Sequence, residues 1–462
     1  MKRNIRFYLA LFTAKITYRA LRLLGRKGTN VPGELALYIC PDFLGRVQLP
    51  ERVIAITGTN GKTTVSNMVE DVLDDCGWQY TCNRMGGNVN TGLISTLVSH
   101  SSPLGKPKHN LAVFEVDERS APLLLPYIKP DILVCTNLFR DSYKRNAHTE
   151  FIFSLLNDYI PDSTKLILNG DDLISSRLKE KNENRFFGIA KEDGEDGEMK
   201  NIVCDIRSCP KCGETLEWDF IRYHHIGQAH CPHCDFASPP LDYVITNIDR
   251  EKLTFTLQYD GKTHEFPIIN VNFINIYNSL AAISLLITLG LSPDTIAASM
   301  QKMSISESRY AEEKFHGKDI IMHLAKGQNP IACSRAFENA KDYPGSKAVL
   351  LYLDDYYDAT YSVENIAWFY DTDFEFLKDD SITQIMISGV RHHDLYVRLL
   401  IAGVSKEKMT HCVKPEDAIE EYLPEKAETL FVIYDLFNLD AANAVKKRGK
   451  ELILEAEKEA QA

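Results

Sequence analysis

The sequence lacks several features that would place a protein in a special class. It contains no run of eighteen or more apolar residues, which argues against a transmembrane helix. Lys and Arg (52) are outnumbered by Asp and Glu (64), and the resulting net charge of -12 argues against a general nucleic-acid binder. No small-residue cleavage site follows the first apolar stretch, so neither a secretory signal nor a disulfide framework for the eleven cysteines is expected. The sequence therefore predicts a soluble, cytoplasmic, globular protein.

The length of 462 residues, with 44% apolar and 25% charged residues, predicts two or three domains of ordinary size. We expect an N-terminal segment (1–50), a central domain (51–310) that carries an insertion at about residues 201–240, and a C-terminal domain (311–462). The segment that precedes the central domain is too short for a separate nucleotide-sugar-binding domain.

The first thirty residues contain eight Lys and Arg residues and no Asp or Glu, interleaved with apolar residues. This pattern predicts a basic amphipathic helix. Two positions remain open for it. The helix could lie on an anionic membrane surface, or it could dock against the next domain with its basic face in water.

A phosphate-binding loop is predicted at residues 53–65, which read VIAITGTNGKTTV. A strand that runs through a glycine-bounded turn into a helix presents converging backbone N–H groups, and Lys62 adds a cation for phosphates. Thr63 or Thr64 can hold a magnesium ion. The spacing Gly-x-x-Gly-Lys-Thr-Thr is two residues tighter than the general Walker pattern. The alternative is a glycine turn with a solvated lysine, which the preceding strand makes less attractive.

Polar residues follow several predicted strands. The Asn- and Gly-rich segment 83–92 either wraps around a ligand or forms a plain surface loop. Glu115 ends the apolar strand 110–116, where a magnesium ion would find oxygen ligands. Asp117 and Glu118 are expected to form a solvated strand end.

Two further apolar segments, 131–137 and 165–172, repeat the strand pattern and also end in polar residues. Alternation of such strands with helices predicts a parallel α/β sheet whose ligands lie at the carboxyl ends of the strands.

The insertion contains two Cys-x-x-Cys motifs separated by eighteen residues. This spacing suits a tetrahedral zinc ribbon, and a closed shell of four thiolates makes the metal structural. Four nearby histidines offer a mixed Cys/His site as the lesser alternative. The predicted zinc ligands are Cys209, Cys212, Cys231 and Cys234, and the ribbon is expected to prop or cover the central domain.

Taken together, the phosphate loop, Glu115 and the segments at 169–172 and 275–282 resemble the Mur ligase family, whose members join a carboxylate to an amine through an acyl phosphate. The resemblance implies a Mur ligase-like α/β fold with ATP and Mg²⁺ as cofactors. It implies Thr63 and Glu115 as magnesium ligands, with Glu115 in the catalytic centre. The implied ATP-binding residues are Thr59, Asn60, Gly61, Lys62, Thr63, Thr64, Asn278 and Arg309.

The inserted ribbon, with the segments 24–33 and 388–399, narrows the resemblance to the MurT branch of that family. Members of this branch form a heterodimer with a GatD-type glutaminase and amidate the D-glutamate α-carboxylate of lipid II to D-isoglutamine during peptidoglycan synthesis. This sequence contains no nucleophile elbow or cysteine-centred signature of its own glutaminase. The resemblance implies that ammonia comes from the partner subunit. We expect a cytoplasmic protein, which the basic N-terminal helix could bring to the inner face of the plasma membrane.

The last domain repeats strand-like segments at 348–354, 382–387 and 430–434, which predicts a smaller, open, Rossmann-like α/β sheet. In the MurT branch, a residue of the loop after the first of these strands completes the partner's catalytic triad. Asp358 and Asn365 match the two candidate positions here. The loop departs from the family pattern, as does the segment 139–146.

Two other functions stay open. A Mur-type ligase that adds a free amino acid to a carboxylate would be expected to have the nucleotide-sugar domain that this sequence does not show. A degenerate, non-catalytic nucleotide-binding subunit would have little reason to keep an intact phosphate loop.

Overall fold

A computed structural model describes residues 2–84, 87–140, 148–303, 310–325, 328–354 and 366–461. The chain forms two compact units. The first comprises Met1–Arg140, His148–Lys200 and Cys204–Ile305, and the second comprises Asp141–Ala147, Asn201–Val203 and Ser306–Ala462. The three-part division suggested by the sequence stays a prediction.

The first unit alternates strands and helices along most of its length. Its elements in chain order are α1 (Ile5–Leu23), α2 (Val31–Ile39), β1 (Arg52–Thr57), α3 (Lys62–Asp75), β2 (Tyr80–Cys82), α4 (Asn90–Ser99), β3 (Leu111–Glu115), α5 (Ala121–Ile128), β4 (Ile132–Cys135), α6 (Thr149–Tyr159), β5 (Lys165–Asn169), β6 (Asn184–Ile189), β7 (Glu217–Tyr223), β8 (Ile226–His230), β9 (Tyr243–Asp249), β10 (Thr254–Tyr259), β11 (Lys262–Pro267), α7 (Phe273–Leu289) and α8 (Pro293–Met300).

Nine of these strands form one sheet in the order β11-β10-β9-β6-β5-β4-β1-β3-β2. The strands from β9 to β2 pair in parallel, whereas β10 is antiparallel to both of its neighbours. The central strand β4 is buried along its whole length, as expected where helices cover both faces of a sheet. The predicted parallel α/β fold is therefore confirmed.

The register brings the carboxyl ends of the central strands to one level. Ile56 of β1 pairs with Glu115 of β3, and Thr57 pairs with Cys135 of β4. Polar residues that follow these strands consequently lie along one border of the sheet. We call this border the phosphate edge and define it as residues 58–61, 115–118, 136–139 and 169–172.

The N-terminal helix α1 docks on the first unit. Phe7, Ala10, Leu11 and Ala14 are buried in the hydrophobic core of this unit. The ammonium group of Lys15 donates hydrogen bonds of 2.7 Å to two backbone carbonyl oxygens, one within α4 and one in the segment that follows α4. Among the described residues, no helix combines the length and the apolar character that crossing a bilayer requires.

The second unit contains a smaller sheet. Its elements are β12 (Tyr310–Phe315), β13 (Lys318–Leu324), α9 (Pro330–Asp342), β14 (Lys347–Tyr352), β15 (Ile382–Ser388), α10 (His392–Ile401), β16 (Met409–Cys412), α11 (Pro415–Ala418), β17 (Thr429–Tyr434) and α12 (Leu439–Gln461). The strand order is β12-β13-β17-β14-β15-β16, and every pair except β12 with β13 is parallel. The open α/β sheet predicted for this region is present.

Candidate phosphate site and cysteine cluster

Two glycines in the turn after β1 occupy positions that other residues would strain. Gly58 has a φ of +125° and Gly61 a φ of +89°. A Cβ atom on Gly61 would lie 2.0 Å from Asn278 Oδ1, and one on Gly58 would lie 2.2 Å from Thr136 Oγ1. Glycine alone fits both the backbone angle and the space. The turn thus passes directly into the N-terminus of α3, and Asn278 of α7 packs against it.

The turn is held in place by the two residues that follow β4. The carbonyl oxygen of Asn60 accepts hydrogen bonds from Thr136 Oγ1 at 2.6 Å and from Asn137 Nδ2 at 3.0 Å. The N–H of Asn60 donates to Asn137 Oδ1 at 3.0 Å, and that of Thr59 donates to the Asn137 carbonyl at 2.8 Å. These bonds pre-organise the turn, because its backbone does not have to be ordered when a ligand binds.

Lys62 lies across the turn and pairs with a buried carboxylate. Its Nζ is 3.1 Å from Glu118 Oε2 and also donates to the carbonyl oxygen of Gly58. Burial raises the pKa of the Glu118 carboxyl, and the positive charge of Lys62 opposes that shift. The buried Glu118 carboxylate therefore lies beside the turn, where it contacts Lys62.

The prediction that Asp117 and Glu118 form a solvated strand end was wrong. Both side chains are buried. Residues Glu118–Ser120 form a short 3₁₀ helix capped by the Asp117 carboxylate, which accepts the N–H of Arg119. This turn carries the chain back over the sheet edge and brings the Glu118 carboxylate to Lys62.

Glu115 is held by the Asn- and Gly-rich segment. Its backbone N–H donates to Asn83 Oδ1 and its carbonyl oxygen accepts from Asn83 Nδ2, both at 2.9 Å. Its carboxylate oxygen Oε1 accepts a hydrogen bond from Asn88 Nδ2 at 2.9 Å. Asn83 and Asn88 thus orient a carboxylate, a role the sequence did not indicate.

A cavity of about 220 Å³ opens at this point of the phosphate edge. Thr63, at the start of α3, and Glu115, at the end of β3, both line it. The remaining lining residues are Ser66, Asn67, Asn83, Arg84, Gly87 and Asn88. A hydroxyl and a carboxylate facing one space at a helix N-terminus provide the oxygen ligands and the partial positive charge that a magnesium-bound phosphate requires.

The described structure brings most of the predicted nucleotide residues to one place. Thr59, Asn60, Gly61, Lys62 and Thr63 form the turn and the first residues of α3, with Thr64 following in the helix. Their roles remain predictions. Arg309, Asp358 and Asn365 lie outside the described residues.

In the insertion, β7 and β8 pair as an antiparallel hairpin, and two buried aspartates anchor this hairpin at the phosphate edge. Asp171 Oδ2 accepts hydrogen bonds from Tyr277 Oη at 2.6 Å and from the N–H of Ile189 at 2.8 Å, and it lies 3.6 Å from Arg222 of β7. Burial raises the pKa of Asp171, and Arg222 opposes the shift. Arg222, a charged residue of the hairpin, therefore compensates the charge of the Asp171 carboxylate.

Asp172 makes the second anchor. Its Oδ1 is 3.3 Å from His225 Nε2, and its Oδ2 accepts the N–H of Leu138 at 2.7 Å. Burial acts to raise the pKa of Asp172, but the contact with His225 outweighs it and the pKa is lowered. His225 is thus a structural contact of the hairpin and not a ligand of the cysteine cluster.

The four predicted zinc ligands meet in space. The Sγ atoms of Cys209, Cys212, Cys231 and Cys234 all lie within 4.8 Å of one another. The closest pairs, Cys209 with Cys234 and Cys212 with Cys231, are 3.5 Å apart. A tetrahedral zinc ion with Zn–S distances of 2.3 Å separates its sulfurs by about 3.8 Å. The N–H of His233 donates to Cys231 Sγ at 3.4 Å, as is suitable for a thiolate. The cluster therefore fits zinc.

Comparison with known proteins gives consistent matches over both units. The model of the Mur ligase middle domain matches residues 56–286, and that of the MurT ligase C-terminal region matches residues 326–436. Subunit MurT of the glutamine-hydrolysing lipid II isoglutaminyl synthase of Staphylococcus aureus (strain COL) is 31% identical over 402 residues, covering 87% of this chain and 89% of that protein. The corresponding subunit of Streptococcus pneumoniae (strain ATCC BAA-255 / R6) is 31% identical over 426 residues, with 90% and 92% covered.

Solved structures share the fold. A pseudomurein peptide ligase type C from Methanothermus fervidus superposes with a TM-score of 0.64 at 19% identity, covering 88% of this chain and 81% of that chain. A MurF structure from Acinetobacter baumannii gives a TM-score of 0.60 at 14% identity, with 90% and 80% covered. The fold and the phosphate edge define a protein of the Mur ligase type. The chain belongs to the MurT branch of the Mur ligase family.

Proposed function

We propose that this chain is the ATP-dependent synthetase subunit of a glutamine-fed amidating ligase in peptidoglycan synthesis. The observation that carries the proposal is the cavity at the phosphate edge, which Thr63 and Glu115 line together. The relatives in Staphylococcus aureus and Streptococcus pneumoniae are MurT subunits of a lipid II isoglutaminyl synthase. Their similarity along most of the chain supports the same reaction here, the amidation of the D-glutamate α-carboxylate of lipid II to D-isoglutamine.

The residues of the turn suit the phosphates of a nucleotide. The backbone N–H groups at the start of α3 and the Lys62 ammonium group attract negatively charged phosphates. Thr63 and Glu115 offer the hydroxyl and carboxylate oxygens that Mg²⁺ prefers. Bound ATP and Mg²⁺ would supply the phosphoryl group and the charge neutralisation that convert a carboxylate to an acyl phosphate.

Glu118 acts as a positioning residue for Lys62. Its buried carboxylate holds the ammonium group 3.1 Å away, so the long lysine side chain is already ordered across the turn. Ordering a free lysine side chain costs up to about 2 kcal/mol. The ion pair therefore reduces the conformational entropy that the Lys62 side chain loses when phosphate binds.

A structural zinc ion would complete the cysteine cluster. Closing four thiolates around one ion fixes the two knuckles of the insertion. Through the hairpin, Arg222 and His225 then stay in contact with Asp171 and Asp172 at the phosphate edge. The zinc ribbon thus supports the site without taking part in the chemistry.

Ammonia must reach the activated carboxylate unprotonated, which favours a docked glutaminase over supply from bulk water. The relatives are named as subunits of a glutamine-hydrolysing synthase, so a GatD-type glutaminase is the proposed partner and lipid II the proposed substrate. Asp358 and Asn365 remain the candidates for orienting the catalytic histidine of that partner, a task that either an aspartate or an asparagine can perform.

The test is reconstitution of the full chain with the GatD-type glutaminase of the same organism. Glutamine, ATP and lipid II are supplied, ADP release is measured, and the lipid II stem peptide is analysed by mass spectrometry. Amidated product is expected only when all components are present. Addition of a free amino acid to the substrate would instead identify a Mur-type amino-acid ligase, and absence of ATP consumption would identify a non-catalytic subunit.

Supplying ammonium salts in place of glutamine separates ATP-dependent amidation on this chain from glutamine hydrolysis on the partner. Asp358→Ala or Asn365→Ala should lower glutamine-driven amidation and leave ammonium-driven amidation unchanged. If both variants match wild type with glutamine, this loop contributes nothing to the partner's catalysis.

We also propose that α1 rests on an anionic membrane surface. Its outward face carries an apolar stripe spaced by four, three and four residues: Ile5, Leu9, Phe12 and Ile16, which are 87%, 57%, 45% and 67% exposed. Exposed basic residues flank the stripe at Arg6, Arg19 and Arg22. Docking of α1 on the first unit requires only one apolar face, yet this helix exposes a second apolar face to water. The basic side chains beside that second face suit anionic lipid headgroups.

Vesicle co-sedimentation tests this placement. The chain should bind vesicles containing phosphatidylglycerol, and the double variant Phe12→Ser/Ile16→Ser should bind less. The matched control is Leu123→Ser, which removes an apolar side chain that is 55% exposed on α5 of the same unit. Equal binding of the double variant and the control would contradict a membrane role for the stripe.

A further inference from the structure

Three histidine rings meet at the carboxyl end of the strands in the second unit. His392 and His393 are the first residues of α10, and His411 lies in β16. The register pairs His411 with Ile387, next to the last residue of β15. Nδ1 of His392 and Nδ1 of His411 are 2.9 Å apart. The ring centroids of the three pairs are separated by 4.0 to 5.1 Å.

The distances match those in a metal site. One ring nitrogen from each of the three residues lies within 4.8 Å of the others. With Zn–N distances of 2.0–2.1 Å, tetrahedral geometry places two coordinated nitrogens roughly 3.4 Å apart. Modest rotations of the rings cover the difference, and the exposed His393 ring has room to make them.

Among the described residues, the metal-ligating atoms that meet here are three imidazole nitrogens. Cys412 follows His411, but its Sγ donates to the carbonyl oxygen of Lys414 at 3.2 Å. Arg391, which precedes the histidine pair, forms an ion pair with Asp394 at 3.6 Å, so its positive charge is compensated. His392 is buried and His411 is half-buried, so the cluster opens to solvent on the side of His393.

We propose that His392, His393 and His411 bind one first-row transition-metal ion, with water in the remaining coordination position. Neutral imidazole suits Zn²⁺, Ni²⁺, Co²⁺ or Cu²⁺ and does not suit Mg²⁺. Unlike the four-cysteine cluster, three protein ligands leave a position for an exchangeable ligand. The ion would tie the first turn of α10 to β16. The amidation reaction makes no use of this site, so it is an addition to the proposed function.

The competing explanation is a hydrogen-bonded pair. His392 and His411 can share one proton between their Nδ1 atoms without any metal, and a pair of this kind has no use for His393. The two explanations therefore differ in what removal of the His393 ring does.

Cobalt loading distinguishes them in protein made without a polyhistidine tag. Wild type should take up two Co²⁺ ions per chain. The ion in the cysteine cluster should show a thiolate-to-cobalt charge-transfer band in the near ultraviolet, and the second ion should show only weaker visible bands. His393→Ala and His411→Ala should weaken binding of the second ion by more than about tenfold, because even an outer-shell partner of a ligand is worth 10–100-fold.

Two controls complete the experiment. Cys231→Ser should weaken the charge-transfer band and leave the second ion bound, and His264→Ala, which removes a histidine outside the cluster, should change neither. His393 is exposed, so its replacement does not threaten folding. A single cobalt ion per wild-type chain overturns the proposal, as does unchanged affinity for the second ion in His393→Ala.

Discussion

The two sheets carry glycine turns that resemble each other in geometry and differ in what fills them. At the phosphate edge, Gly61 (φ +89°) leads into α3 beside a cavity of about 220 Å³. In the second unit, Gly389 (φ +108°) follows β15 and leads towards α10. There the Asp354 carboxylate accepts the N–H of Val390 at 2.6 Å and would lie 2.4 Å from a Cβ atom on Gly389.

The difference shows that topology alone does not make an anion site. A strand, a glycine turn and a helix present backbone N–H groups at the carboxyl edge of any parallel sheet. In the second unit the chain's own carboxylate takes the place that an anion would occupy. In the first unit the Glu118 carboxylate pairs with Lys62, the Glu115 carboxylate accepts a hydrogen bond from Asn88, and a cavity remains beside the turn.

The largest effect is expected from Lys62→Ala. It removes the cation from the open turn, and ADP release with ammonium as nitrogen source should fall by on the order of 10³-fold, since charge on the transferred phosphoryl group loses its partner. Arg391→Ala, which removes a cation beside the filled turn, is the control and should leave ammonium-driven ADP release unchanged. Near-normal activity of Lys62→Ala would remove the basis for the ATP site.

Exchanging each glycine for alanine compares the two turns directly. Gly61→Ala and Gly389→Ala should each lower the free energy of unfolding by about 1–3 kcal/mol, because alanine is strained at positive φ and meets a polar side chain in both places. Only Gly61→Ala should also weaken ATP binding, measured by calorimetry. Equal loss of ATP affinity in both variants would show that the turns are not functionally distinct.

The smallest effect concerns Glu70, a buried carboxyl on α3, the helix that follows the open turn. Burial raises its pKa from 4.5 to about 7. A carboxyl whose pKa is higher in the folded than in the unfolded state destabilises the fold when ionised. The free energy of unfolding contributed by this group therefore falls as pH rises from about 4.5 to about 7 and stays low above that.

Glu70→Gln should accordingly raise the free energy of unfolding by about 1–3 kcal/mol at pH 8, and the gain should shrink towards pH 5. Ser66 Oγ, which donates to Glu70 Oε1 at 3.0 Å, keeps an oxygen acceptor in the variant. Denaturant titrations at several pH values measure the effect, with the exposed Glu51→Gln as control. A gain that does not depend on pH would contradict the raised pKa.

Features that depend on local spacing were predictable. The turn between β1 and α3 needs glycine at two positions and places Lys62 at a helix start, so a short stretch of sequence defines it. The cysteine knuckles are local for the same reason, and the four Sγ atoms do meet. The basic helix was predicted as well, although its docking through Phe7 and Leu11 follows from the packing of the unit.

Glu118 shows where sequence reasoning ended. Polar residues after a strand are usually solvated, and only the short 3₁₀ helix that follows β3 turns this carboxylate inwards to Lys62. His225 looked like a possible zinc ligand because cysteines surround it in the sequence. It lies instead against Asp172, since the hairpin folds onto the sheet edge.

The sequence by itself determined the class of the sheet, the glycine turn before Lys62 and the four-cysteine cluster, because period, glycine position and cysteine spacing act over a few residues. The tertiary structure decided which carboxylate pairs with Lys62, which turn keeps its cavity, and that His411 meets His392 and His393. These outcomes depend on strand register and on how a loop folds back. Both are set by contacts between residues far apart in the chain, which no local pattern encodes.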